Sequence, residues 1–232
     1  MPRQALDREL QRLIDEVLVL ASMVEQALCE SVQALKARDK EAARRIIAGD
    51  RQINERRFAI ESDCLAVIAM QQPAASDLRV LAALLEVATE LERIGDYGKG
   101  IARISLKMSD EPLIKPLIDI PRMADRARTM LRQALVAFVR RDAETARAIP
   151  LEDDEVDALY NQVYQELLTY IMADPRNTNQ ATLLLWVAHN LERAADRVTN
   201  ICERIVFMVT GEMNELDVSD GITDTLKSVG VR

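Results

Sequence analysis

A chain of 232 residues in which 49% are hydrophobic is long enough to bury a core of its own, and with 3% aromatic residues, seven glycines and seven prolines its composition is that of helices and not of sheets. A formal net charge of −8 gives a field that repels phosphate backbones and excludes generic nucleic-acid binding. Cys29, Cys64 and Cys202 lie far apart with no Cys-x-x-Cys pair, which argues against a disulfide framework or a thiolate metal site and reads as small core residues in a reducing compartment.

From Leu6 through Leu10, Leu13, Val17, Leu20, Val24 and Ala27, apolar residues step by threes and fours, which predicts a long bundle helix reaching about Lys36. This opening segment lacks the unbroken apolar run of a secretion signal. The longest charge-free stretch, 177–191, is too short and too polar to span a bilayer. A break at Ala37-Arg38-Asp39, with Asp39 as N-cap, starts a second helix that runs to about Met70 and is ended by Pro73. Ser76 or Asp77 is the expected cap of a third helix ending near Met108. Pro112, Pro116 and Pro121 mark a linker at 111–121.

The pattern then restarts. Arg141-Asp142, Glu144 and Ala146-Arg147 repeat Arg38-Asp39, Glu41 and Ala43-Arg44, and Pro175 stands where Pro73 stood. Over 84–96 and 184–196, eight of thirteen positions are identical, including Leu-Glu-Arg-x-x-Asp in both. A coincidence of leucines is common between amphipathic helices, but a coincidence of that motif at one place in each is not. The expected architecture is therefore all-α: a three-helix bundle over 1–110, a second over 122–210, six long helices in all, and a flexible tail over 211–232.

Residues four apart share a helix face, so Glu92 with Asp96 and Glu192 with Asp196 each present two stacked carboxylates. Counting outward from Pro73 brings Asp50 and Asn54 of the second helix level with Asp96 and Glu92. Counting from Pro175 does nearly the same for Asp153 and Asp157 against Asp196 and Glu192. Three or four oxygen donors at one height suit magnesium, calcium, manganese or iron better than zinc. The ordinary alternative is solvated acids paired with nearby arginines such as Arg93 and Arg193; both readings stand at this level. The Arg44-Arg45, Arg51 and Arg56-Arg57 cluster reads as a solvated helix face, His189 as a lone, partly buried histidine, and Trp186 as core or interface.

A duplicated three-helix unit carrying Leu-Glu-Arg-Ile-Gly-Asp at 91–96 and Leu-Glu-Arg-Ala-Ala-Asp at 191–196 resembles the PhoU family of bacterial phosphate-signalling regulators, over roughly residues 5–210. The resemblance implies two bundles side by side and metal-binding acids at Glu92, Asp96, Glu192 and Asp196, faced by Asp50, Asp153 and Asp157. It also implies a non-enzymatic, cytoplasmic homodimer that represses the phosphate-starvation response and couples a phosphate ABC transporter ATPase to a sensor histidine kinase, meeting the membrane only through partners. Ala195 departs from the glycine usual in that motif, and its methyl is expected to restrict close approach at the second cluster. Two other readings are a di-iron carboxylate oxidoreductase, whose Glu-x-x-His pairs are missing, and a purely structural adaptor.

Overall fold

The computed structural model describes residues 2–108 and 110–216, and among them there are α-helices and no strand. Helices α1 (Pro2–Ala37), α2 (Lys40–Gln71) and α3 (Ala75–Met108) form the first bundle. Helices α4 (Asp119–Arg140), α5 (Ala143–Ala148), α6 (Asp153–Ala173) and α7 (Thr178–Thr210) form the second.

The duplication extends to backbone detail. Arg38 and Arg141 both take the left-handed conformation at φ 55°. The amide of Asp39 then donates to Ala34 O and that of Asp142 to Ala137 O, each at 2.9 Å. Both aspartates cap the following helix: Asp39 accepts from the Ala42 amide, and Asp142 from those of Glu144 and Thr145.

Three boundaries differ from the sequence expectation. The middle helix of the second repeat is divided: Pro150 has no amide to donate, and the chain makes a 3-10 turn over Ile149–Glu152 between α5 and α6. Ser76 and Asp77 lie inside the first turn of α3 and not before it. Pro121 falls in the first turn of α4, where its missing N–H costs nothing. The linker before it is pinned to the second bundle, because Gln180 accepts from the Ile114 amide at 2.5 Å and donates to Pro112 O at 3.0 Å.

One hydrophobic core runs from Leu6 to Met208 through both bundles, so the repeats are joined by packing as well as by the linker. By length and composition alone α1 is apolar enough to cross a membrane, but Leu13, Val17, Leu20, Val24 and Leu28 are turned into this core and are essentially inaccessible. After α7 the segment 211–216 folds back: Leu216 packs on the core, and its amide donates to Glu203 Oε1 at 3.0 Å. The rest of the expected tail, 217–232, lies outside the described residues.

Candidate functional site

The acids of interest line two pairs of neighbouring helices, α2 with α3 and α6 with α7. In both pairs the apolar register places Ile46, Ile53, Ile60 and Cys64 of α2 in step with Ile149, Val156, Val163 and Leu167 of the second repeat, all buried. That register sets Asp50 against Asp153, Asn54 against Asp157, and Arg57 against Tyr160; on the third helices it sets Lys99 against Thr199. The two sites can therefore be compared position by position.

In the first repeat the expected helix pairing holds, and a lysine closes it. Lys99 Nζ donates to Asp50 Oδ2 at 2.6 Å and to Asp96 Oδ1 at 3.2 Å, so one ammonium bridges α2 and α3 between two of the predicted ligands. Asn54 turns back along its own helix, donating to Asp50 O at 3.0 Å and Asp50 Oδ2 at 3.2 Å. Burial, the neighbouring Asp96 charge, a hydrogen bond with Asp96 and the Asp50 charge push the Glu92 carboxyl above its ordinary range, while Arg57 pulls it down.

The second repeat carries the same acids with different neighbours. Asp157 replaces Asn54, Tyr160 replaces Arg57 and Thr199 replaces Lys99, so there is one more carboxylate and neither of those cations. The result falls on Glu192, whose carboxyl is pushed from its ordinary 4.5 to about 7 by burial, then by Asp196 and Asp157, against the opposing pull of Arg193 and Arg197. One Glu192 oxygen, Oε2, is buried without a hydrogen bond. His189 Nδ1 lies 3.2 Å from it, close enough for an ion pair with a protonated imidazole but not aligned as a hydrogen bond. The Thr199 hydroxyl is likewise buried and unpaired. Asp153 opens α6 one turn before Asp157, and a helix N-terminus there offsets part of its charge, whereas Asp50 sits in mid-helix.

Among the described residues no three His, Cys, Asp or Glu side chains already converge at metal-ligating distance. In the first cluster the Lys99 ammonium stands between Asp50 and Asp96. The second fits a metal better: its donors are hard oxygens, Asp157 stands where the first repeat has Asn54, and the buried Glu192 Oε2 has no hydrogen bond. Ala195 is fully buried, and its counterpart Gly95 faces Ile53 at about 3.2 Å from where a Cβ would stand. In the second repeat the residue in register with Ile53 is Val156, one methylene smaller.

Glu192 gives a pH prediction. A folded-state pKa near 7 against an ordinary 4.5 means that the folded protein holds this proton more tightly than the unfolded chain, so stability is full below about pH 4.5 and falls as pH rises toward 7. In chelator-treated protein, Glu192→Gln is expected to remove that loss and gain about 2 kcal/mol at pH 8, after allowance for partial solvent exposure. Denaturant midpoints at pH 5 and pH 8 check it; equal pH dependence in both proteins rules it out.

Trp186 is 56% exposed, so it is not core, and it stands edge-on to His189 with ring centroids 5.8 Å apart. On α2, Arg44 pairs with Glu41, Arg51 with Glu55, Arg56 with Glu16 and Arg57 with Glu61, which makes a solvated, compensated face. All three cysteines are free, and burial pushes the thiols of Cys64 and Cys202 up to about 12, leaving them inert. Sequence reading overlooked Lys99 and Thr199; the signal was available, since Lys99 follows Asp96 by three and so shares its face.

Comparison with known proteins agrees with the duplicated architecture. The PhoU domain family model matches residues 17–105 and again 120–205. The phosphate-specific transport system accessory protein PhoU homolog of Rhizobium meliloti is 35% identical over 97% of this chain and 96% of its own length. The accessory protein PhoU of Escherichia coli is 35% identical over 88% of this chain and 85% of its own. The crystal structure of the phosphate transport system regulatory protein PhoU from Streptococcus pneumoniae superposes with a TM-score of 0.84 at 33% identity, covering 90% of this chain and 99% of that one.

Proposed function

The chain belongs to the PhoU family, and from that premise we propose that it is a non-catalytic accessory regulator of phosphate transport which represses the phosphate-starvation response in the cytoplasm. In this reading it works as a homodimer, through the ATPase of a phosphate ABC transporter and a sensor histidine kinase. The observation that carries the regulatory role is near-full-length similarity to proteins named for accessory and regulatory work in phosphate transport. A strain deleted for this chain should express its phosphate-starvation genes in rich phosphate and regain repression on complementation. Normal repression in the deletion strain would overturn the proposal.

We further propose that the second-repeat acids Asp157, Glu192 and Asp196, with Asp153 beside them, take one divalent or iron cation, while in the first repeat Lys99 does that work for Asp50, Asp96 and Glu92. The support is the added carboxylate, Asp157 for Asn54, and the replacement of the lysine that bridges Asp50 and Asp96 by Thr199. A bound cation would supply positive charge across α6 and α7, the service Lys99 performs across α2 and α3. Protein purified without chelator or His tag should carry a single equivalent of manganese, iron, magnesium or calcium by mass spectrometry. Asp196→Ala and Asp157→Ala should abolish it, and Asp96→Ala should leave it unchanged. Loss of the metal in Asp96→Ala, or its persistence in Asp196→Ala, would sink the assignment.

A further inference from the structure

Where the repeats meet, α3 and α7 run antiparallel: Glu90 reaches Asn200, and a Cβ on Gly100 would touch Asn190. At this crossing lies an open cavity of about 400 Å³ lined by Arg93, Tyr97, Arg193 and Arg197, with Asp96 as its acidic member. Three guanidiniums line this one cavity, and their internal partners do not exhaust them. Arg93 and Arg197 share a single buried carboxylate, Glu90, at 2.8 Å and 3.4 Å. Arg197 Nε is buried with no hydrogen bond. Arg193 lines the cavity beside Tyr97, and its Nε stands 3.8 Å from Asp196, beyond hydrogen-bond reach. Each guanidinium has five donors, so hydrogen-bonding capacity is left over among the arginines that line the cavity.

We propose that this seam binds inorganic phosphate as its hydrogen-bearing dianion. The arginine forks match tetrahedral oxygens. Asp96, held in place by Lys99, supplies a carboxylate that accepts from a P–OH but repels an oxyanion with no proton, which selects phosphate over sulfate. Because Arg93 comes from the first repeat and Arg193 and Arg197 from the second, a bound phosphate fastens the two bundles together. The proposal rests on the cavity and not on the metal or the regulatory partners.

The test is calorimetric titration of the full, chelator-treated chain with inorganic phosphate and, separately, sulfate, at constant ionic strength. Wild type should bind phosphate at least tenfold more tightly than sulfate. Arg93→Gln/Arg193→Gln, which leaves the Glu90–Arg197 contact in place, should weaken phosphate binding at least tenfold with an unchanged helical circular dichroism spectrum. Asp96→Asn should narrow the phosphate-to-sulfate ratio. Absence of binding at millimolar phosphate, equal affinity in the arginine variant, or sulfate binding as tightly as phosphate would each overturn the proposal. Chelation removes any contribution from the second cluster, so a failed metal assignment cannot imitate any of these results.

Discussion

Gly98→Val is expected to cost about 4 kcal/mol and to leave a chain that unfolds at far lower denaturant than wild type. Gly98 is buried on α3 against the backbone of α1. A Cβ there would stand 3.1 Å from the Leu28 nitrogen and 3.2 Å from both the Ala27 carbonyl carbon and its oxygen. Backbone atoms in the middle of a 36-residue helix cannot step aside singly, so α1 as a whole must move away from α3. Valine adds two branches at that point, and the displacement opens the core that Leu20, Val24 and Leu28 share with α3. Gly49 is the control: a Cβ there meets nothing within 4 Å, and the residue is in mid-helix on α2. Gly49→Ala should therefore stabilise by roughly 0.5–1 kcal/mol through helix propensity. Equal denaturant midpoints for Gly98→Val and wild type would show that α1 and α3 do not approach so closely.

The second large effect is expected at Glu90. This carboxylate is 5% exposed and sits at the α3–α7 seam, accepting from Arg93 Nη1 at 2.8 Å, Asn200 Nδ2 at 3.1 Å and Arg197 Nη1 at 3.4 Å. Its removal leaves Arg197, itself only 15% exposed, as a buried cation without its counter-charge. Glu90→Ala should cost about 3 kcal/mol for that reason, more than the net worth of the contacts themselves. The double variant Glu90→Ala/Arg197→Met should recover part of the loss, because replacing both partners of a buried pair is milder than orphaning one. Chemical denaturation of the four proteins of this cycle measures it. A single-variant cost within about 0.5 kcal/mol of zero would mean that water reaches the seam and compensates Arg197.

The two carboxylate clusters show how one motif acquires two chemistries. Glu92-x-x-x-Asp96 and Glu192-x-x-x-Asp196 are alike as sequence, yet in one Lys99 bridges Asp50 and Asp96 and in the other a glutamate is pushed up to about 7. What separates them are residues outside the motif: Asn54 or Asp157, Arg57 or Tyr160, Lys99 or Thr199. A family likeness read on the motif alone places a ligand set in both repeats, whereas the surrounding charges distinguish them.

The helices, their duplication and their turns were legible in the chain itself. Apolar spacing, the cap aspartates Asp39 and Asp142, and the prolines act within a few residues of one another, and local sterics and hydrogen bonding decide their outcome. Pro150 was equally visible, and the division of the second repeat's middle helix follows from its missing N–H. Tertiary structure alone decided which faces met. That Lys99 spans to Asp50, that one core crosses both bundles, that Glu90 is buried under α7, and that three arginines gather around Tyr97 all depend on residues tens of positions apart coming within a few ångströms. Helical periodicity tells each residue which side of its own helix it occupies; only the packing of helix on helix tells it what charge it will face, and the behaviour of these acids depends on that charge.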